Sequence, residues 1–237
     1  MQLAVWSGPR NISTALMYSF AQRKDFVAID EPFYAAYLSL TGLDHPMREK
    51  VIASQPTDPE IVIRSLTKPQ PDGAAHMYQK HMTQHMVDAI SRDWMETVTN
   101  IFLLRHPARV ISSFSKKYKN PKLHDIGFQK QIELFRFLCD AGHSPVVVNS
   151  YDIRRFPEKT LKKLCLHLSL DFDPAMLRWD IGGSRYDGVW AKHWYGAVHR
   201  STGFSEPEGQ LPRLPKKFRA LERQVISDYE EMMQYCI

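Results

Sequence analysis

Several short stretches of the chain put cations and hydroxyls where an anion could be gripped. One is "AVWSGPRNISTAL", residues 4–16. Its apolar run ends in Ser7-Gly8-Pro9, a tripeptide suited to a sharp turn. Ser13 or Thr14 can then open a helix. Backbone N–H groups and the helix dipole at such a turn favour negative charge. The two hydroxyls add donors and Arg10 adds a full charge. The same residues also read as a plain strand–helix turn with Ser13 as its N-cap. The nucleotide-binding pattern GxxxxGK(S/T) does not fit, because Ser13 and Thr14 stand where its Gly and Lys belong. Hydrolysis of ATP or GTP through that Lys is therefore disfavoured.

A second stretch, "FLLRHPARVISSF" (102–114), places Arg105 at the end of an apolar run and Ser113 eight residues further on. A guanidinium can fork onto a phosphate, and a helical hydroxyl can reach the same oxygens. Two residues could take a proton. Glu31 follows "FVAID", although Asp30-Glu31-Pro32 also reads as a simple helix cap. His81 stands in "MYQKHMTQHM". His81 and His85 are four apart, a metal-ligand spacing on a helix, but the zinc-protease pattern needs Glu where Met82 stands. No metal is expected, and His85 reads as a helix-surface or core residue.

The elements that must position these residues alternate. Five β-rich segments, 2–7, 26–30, 75–79, 100–105 and 144–150, are separated by helical patterns at 14–23, 82–92, 108–117, 126–141 and 158–168, with a last helix at 216–235. This order predicts a three-layer α/β/α fold with a central parallel sheet of about five strands. Ligands in such sheets bind beyond the carboxyl ends of the strands. That rule draws together Ser7–Thr14, Glu31, Lys80–His81, Arg105–Ser113 and Tyr151. Residues 41–72 read as a lid or helical insertion. Residues 180–215, long and rich in turn formers and aromatics, read as a ligand-covering loop.

Residues 1–237 fit one sizeable domain. The net charge of +5 suits an anionic ligand, but the basic residues are scattered, so no nucleic acid is expected. No apolar run reaches the roughly 20 residues of a membrane helix, and the first residues lack a basic signal-peptide region. Cys139, Cys165 and Cys236 are widely spaced and odd in number, which points to reduced thiols and a cytoplasmic location. Oligomeric state is open.

"GPRNIST" resembles the first phosphosulfate loop of the sulfotransferases, Pro-Lys/Arg-Ser-Gly-Ser/Thr-Thr after the first strand. The chain departs from it at Asn11 and Ile12, where the family usually has Ser-Gly. "FLLRHPARVISSF" is similar to the family's second signature. "YDIRRFPEKTLKKLCLHLSLDFDPAML" (151–177) resembles its strand-end segment in spacing, and "SRYDGVWAKHWYG" (184–196) resembles its late loop. The resemblance implies a P-loop NTPase-like fold and the donor 3'-phosphoadenosine 5'-phosphosulfate (PAPS), with adenosine 3',5'-bisphosphate (PAP) as product. It implies that Arg10, Asn11, Ser13 and Thr14 contact the 5'-phosphosulfate, with Arg10 also steadying charge on the leaving phosphate. Arg105 and Ser113 are expected on the 3'-phosphate and Tyr151 on the adenine. Arg185 and Lys192 are the nearest cations in the late loop. A hydroxyl or amine of a small-molecule acceptor, seated under residues 32–72 and the late loop, would receive the sulfuryl group, with Glu31 or His81 as base. A P-loop kinase or phosphotransferase, or an inactive nucleotide-binding homologue, is the alternative.

Overall fold

The computed structural model describes residues 1–68 and 74–237. Five strands form one parallel sheet in the order β2-β3-β1-β4-β5. They are β1 (Gln2–Ser7), β2 (Phe26–Asp30), β3 (His76–Met82), β4 (Thr99–Leu104) and β5 (Val146–Asn149). The helices are α1 (Ser13–Ala21), α2 (Tyr34–Thr41), α3 (Arg48–Ser54), α4 (Pro59–Thr67), α5 (Pro107–Ser115), α6 (Phe128–Asp140), α7 (Ser150–Arg155), α8 (Pro157–His167), α9 (Ala191–Trp194) and α10 (Arg219–Met233).

Alternation along each strand feeds two cores. Leu3 and Val5 of β1 and Ile101 and Leu103 of β4 pack on one face, against Leu16 and Phe20 of α1 and Leu161 and Leu164 of α8. Ala4, Trp6, Phe102 and Leu104 pack on the other, against Phe135 and Leu138 of α6 and Leu66 of α4. Burial on both faces explains why these strands are almost wholly apolar. The three expected layers are therefore present.

Several boundaries differ from the expectation. β3 runs through Met82 rather than ending at 79, and no α-helix spans 82–92. A 3-10 turn, Thr83–His85, follows instead, and Met86, Ile90 and Met95 are reached by successive three-residue turns (Met86 N to Thr83 O, Ile90 N to Val87 O, Met95 N to Arg92 O). Such turns satisfy the same apolar spacing without a helix. α6 starts at Phe128, after a separate 3-10 turn, His124–Ile126. The insertion at 41–72 contains α3 and α4, and its residues 69–72 lie outside the described residues. The segment 180–215 is built around α9 and a 3-10 turn, Val198–Arg200, and is anchored by buried Trp190 and Tyr195.

β1 lies between β3 and β4, with the chain crossing first to one side and later to the other. The loops after β1 and β4 thus diverge at their carboxyl ends and leave a crevice there. Gly8 lets the backbone at Ile126 pack directly against the end of β1: a Cβ there would stand 2.6 Å from the Ile126 carbonyl oxygen.

Candidate active site

A cleft of about 520 Å³ opens at the carboxyl ends of β1 to β4. Its floor is the loop Pro9–Ala15, and Glu31, Lys80, His85 and Arg105 also face it. Leu43–Pro46, from the expected insertion, form one wall, and Trp194–Ser205, from the expected covering loop, form another. Both long segments therefore border this cleft.

The loop after β1 turns by two left-handed residues, Arg10 (φ 66°) and Ile12 (φ 59°). That conformation is uncommon outside glycine and strained for a β-branched residue. It occurs where the resembled family uses Gly. Ile12, not Ser13, is the N-cap of α1; it offers no side-chain acceptor, and Ser13 is the first helical residue. The first N–H groups of α1 thus keep their donors for whatever enters the cleft. Asn11 is buried and donates from Nδ2 to the Leu103 carbonyl at 3.1 Å, which pins the loop to β4.

Arg10 Nε donates to Ser113 Oγ at 3.0 Å, and Arg105 Nη1 donates to the Arg10 carbonyl at 2.6 Å. Arg10, Arg105 and Ser113 therefore form one group, although Ser113 itself serves Arg10 rather than lining the cleft. Burial and the neighbouring Arg105 pull the Arg10 guanidinium below its ordinary value. Concentrated positive charge of this kind favours an anion.

At the other side, Lys80 is almost completely buried in β3. Its ammonium lies 2.8 Å from Asp30 Oδ1, 2.5 Å from Glu31 Oε1 and 2.6 Å from Tyr195 Oη. Asp30 and Glu31 are consecutive and would point to opposite faces in a regular strand. Glu31 adopts a left-handed backbone (φ 42°), so both carboxylates reach one cation. Tyr195 Oη also accepts from Trp190 Nε1 at 3.0 Å and lies 2.9 Å from both Asp30 oxygens. Burial pushes the Asp30 carboxyl up to about 6, against the pull of Lys80. Glu31 Oε2 faces His85 Nε2 across 3.9 Å. That ring is sandwiched by Tyr34 and Tyr37, with centroids at 4.5 and 4.8 Å. Despite the nearby carboxylate, burial together with His45 and Lys80 holds His85 well below its usual value.

The other expected site residues separate. His81 follows Lys80 in β3 and so points to the opposite face, where it stacks on Trp6 at 4.3 Å inside the core. Tyr151 lines a neighbouring cavity of about 340 Å³ with His106, Arg109 and Tyr229. Arg185 is exposed and donates to Tyr186 Oη, and Lys192 is exposed on α9; neither lines the cleft. Lys80 as a buried ion, Tyr195 and His85 as a cleft wall were not anticipated. "KH" at a strand end was the one available signal for the first of these.

Among the described residues no cluster of His, Cys, Asp or Glu could hold a metal ion, and no helix is long and apolar enough to cross a membrane. The three cysteines are free thiols.

A family model described as "Sulfotransferase domain" matches residues 1–234. Two Arabidopsis thaliana proteins are similar in sequence: branched-chain-amino-acid aminotransferase-like protein 2 (35% identical, 86% of this chain) and protein 1 (36% identical, 88% of this chain). The chain spans 36% and 37% of their respective lengths, just over a third. Among solved structures, a sulfotransferase domain from the curacin biosynthetic pathway superposes with a TM-score of 0.58 at 16% identity, over 96% of each chain. A sulfotransferase from Alicyclobacillus acidocaldarius gives 0.56 at 12% identity, over 98% of this chain and 94% of that one. These two share the fold.

Proposed function

Because the chain belongs to the sulfotransferase domain family, we propose that it moves a sulfuryl group from PAPS to a hydroxyl or amine of a small-molecule acceptor. The observation that carries this reading is the shared cleft: Arg10, Ser13, Thr14 and Arg105 face the same space as Glu31. The acceptor oxygen attacks sulfur in line as the bond from sulfur to the 5'-phosphate oxygen breaks. The electron pair of that bond stays on the phosphate, where Arg10 and the N–H groups of α1 stabilise it. Glu31 Oε2 takes the acceptor proton. Lys80 and Tyr195 hold the other oxygen of Glu31 and so fix the direction of Oε2. His81, turned into the core, is set aside as base in favour of Glu31.

Tyr34, Tyr37, His85 and Trp194 give the remaining wall an aromatic character that suits an apolar or ring-bearing acceptor. The aminotransferase-like name belongs to much longer relatives and describes those proteins.

Thermal unfolding with PAP, with ATP plus Mg2+ and without ligand tests the donor. A ligand at about 100 times its dissociation constant adds roughly 2.7 kcal/mol. PAP should raise the melting temperature and ATP should not; the reverse would favour a phosphotransferase. Turnover of labelled PAPS across an acceptor panel then tests the chemistry. Glu31→Gln should lose at least about a hundredfold in rate with PAP binding intact. Intact binding without turnover in the unaltered protein would instead mark an inactive homologue.

A further inference from the structure

Segment 205–213 is exposed at Ser205, Glu206, Pro207, Gly209, Gln210 and Leu211, yet Glu208 is buried. Its carboxylate reaches three arginines from two helices and a strand end. Arg105 Nη2 and Arg154 Nη1 donate to Oε1, the latter at 2.7 Å, and Arg109 Nε lies 3.3 Å from Oε2. The same arginines hold the segment's backbone: Arg154 donates to the carbonyls of Ser205 and Glu206, and Arg109 to that of Gly209.

The position of this strap matters. Ser205 and Arg105 line the main cleft, whereas Gly209 and Arg109 line the neighbouring cavity with Tyr151. Residues 205–209 therefore run across the boundary between the two spaces. The carboxylate also serves the cluster incompletely. Among the described residues, buried Arg105 Nε and Glu208 Oε2 have no hydrogen-bond partner. One negative charge and two oxygens face three guanidinium groups; a phosphate would bring a third oxygen and more charge.

We propose that Glu208 is an internal stand-in for the donor's 3'-phosphate, and that its strap must leave the arginine cluster before the nucleotide can span both spaces. This rests on the PAPS reading above. A free chain with the strap seated is incompetent for the bisphosphate, and the apparent affinity is reduced by the seated fraction. Once a 3'-phosphate takes Arg105, Arg109 and Arg154, the strap is released to solvent.

Isothermal titration of the full chain with adenosine 3',5'-bisphosphate and with adenosine 5'-monophosphate, in the unaltered protein and in Glu208→Gln, tests this. The bisphosphate should bind about tenfold or more tighter to the variant, and the monophosphate should gain less. An unchanged or weaker bisphosphate affinity, or an equal gain for both nucleotides, overturns the proposal while leaving the donor reading intact. Failure of the bisphosphate to bind either protein removes the donor reading and this inference together. Should circular dichroism show Glu208→Gln unfolded, glutamyl endopeptidase on the unaltered protein decides. The bisphosphate should speed cleavage after Glu208, before Gly209, and protection there overturns the proposal.

Discussion

Lys80 and Arg10 line the same cleft, but they are held in different ways. Lys80 meets two carboxylates and a phenol within hydrogen-bonding distance. Arg10 meets one hydroxyl, and the nearest charge it feels is another cation, Arg105. The Lys80 side is closed on itself: removing any member leaves a buried charge or donor without its match. The Arg10 side is open, and its fold does not need all of its positive charge. The proposed function uses both: a rigid region that would aim Glu31, and an open one that would receive charge from outside.

The sharpest way to break this contrast is to remove each cation in turn. Lys80→Met leaves Asp30 and Glu31 buried without their cation and should cost about 3–5 kcal/mol in denaturant or thermal unfolding. Arg10→Met should leave the unfolding midpoint nearly unchanged while turnover falls roughly 10²–10³-fold. If both variants lose stability equally, the two regions are not different in kind. Tyr195→Phe probes the closed side more finely. It takes one partner each from Lys80 and Trp190 and should cost about 1–3 kcal/mol.

The smallest effect concerns the sign of a pH slope. His85 is held below its ordinary value of 6.5 by burial, so the unfolded chain binds a proton more readily than the folded one. Its contribution is full above about pH 6.5 and is lost as pH falls below that. The melting temperature should therefore drop from pH 8 to pH 5, and His85→Phe should flatten part of the drop. If His85 and Glu31 formed a charged pair instead, the variant would steepen it.

The strands were legible because sheets covered on both faces need continuous apolar runs, and "QLAVWS" and "FVAID" end where β1 and β2 end. The end of β3 was not. Lys80 and His81 read as polar loop residues, since nothing local shows that Asp30, Glu31 and Tyr195 will converge on Lys80. Placing the strand end three residues too early also moved His81 from the core to the cleft. That Arg10, Ser13, Thr14 and Arg105 share one cleft was legible because each lies shortly after a strand end, a local signal. Glu208 carried none: an acidic residue among Pro and Gly looks like solvated loop until Arg105, Arg109 and Arg154 are brought beside it.

The crossing of the chain to both sides of β1 has a kinetic consequence. Arg105 and Arg10 are 95 residues apart, and Tyr195 and Glu31 are 164 apart. Closing such large loops costs entropy before any contact offsets it. During renaturation, far-ultraviolet circular dichroism from the sheet and helices should recover ahead of nucleotide affinity, which must await the return of the segment around residue 195.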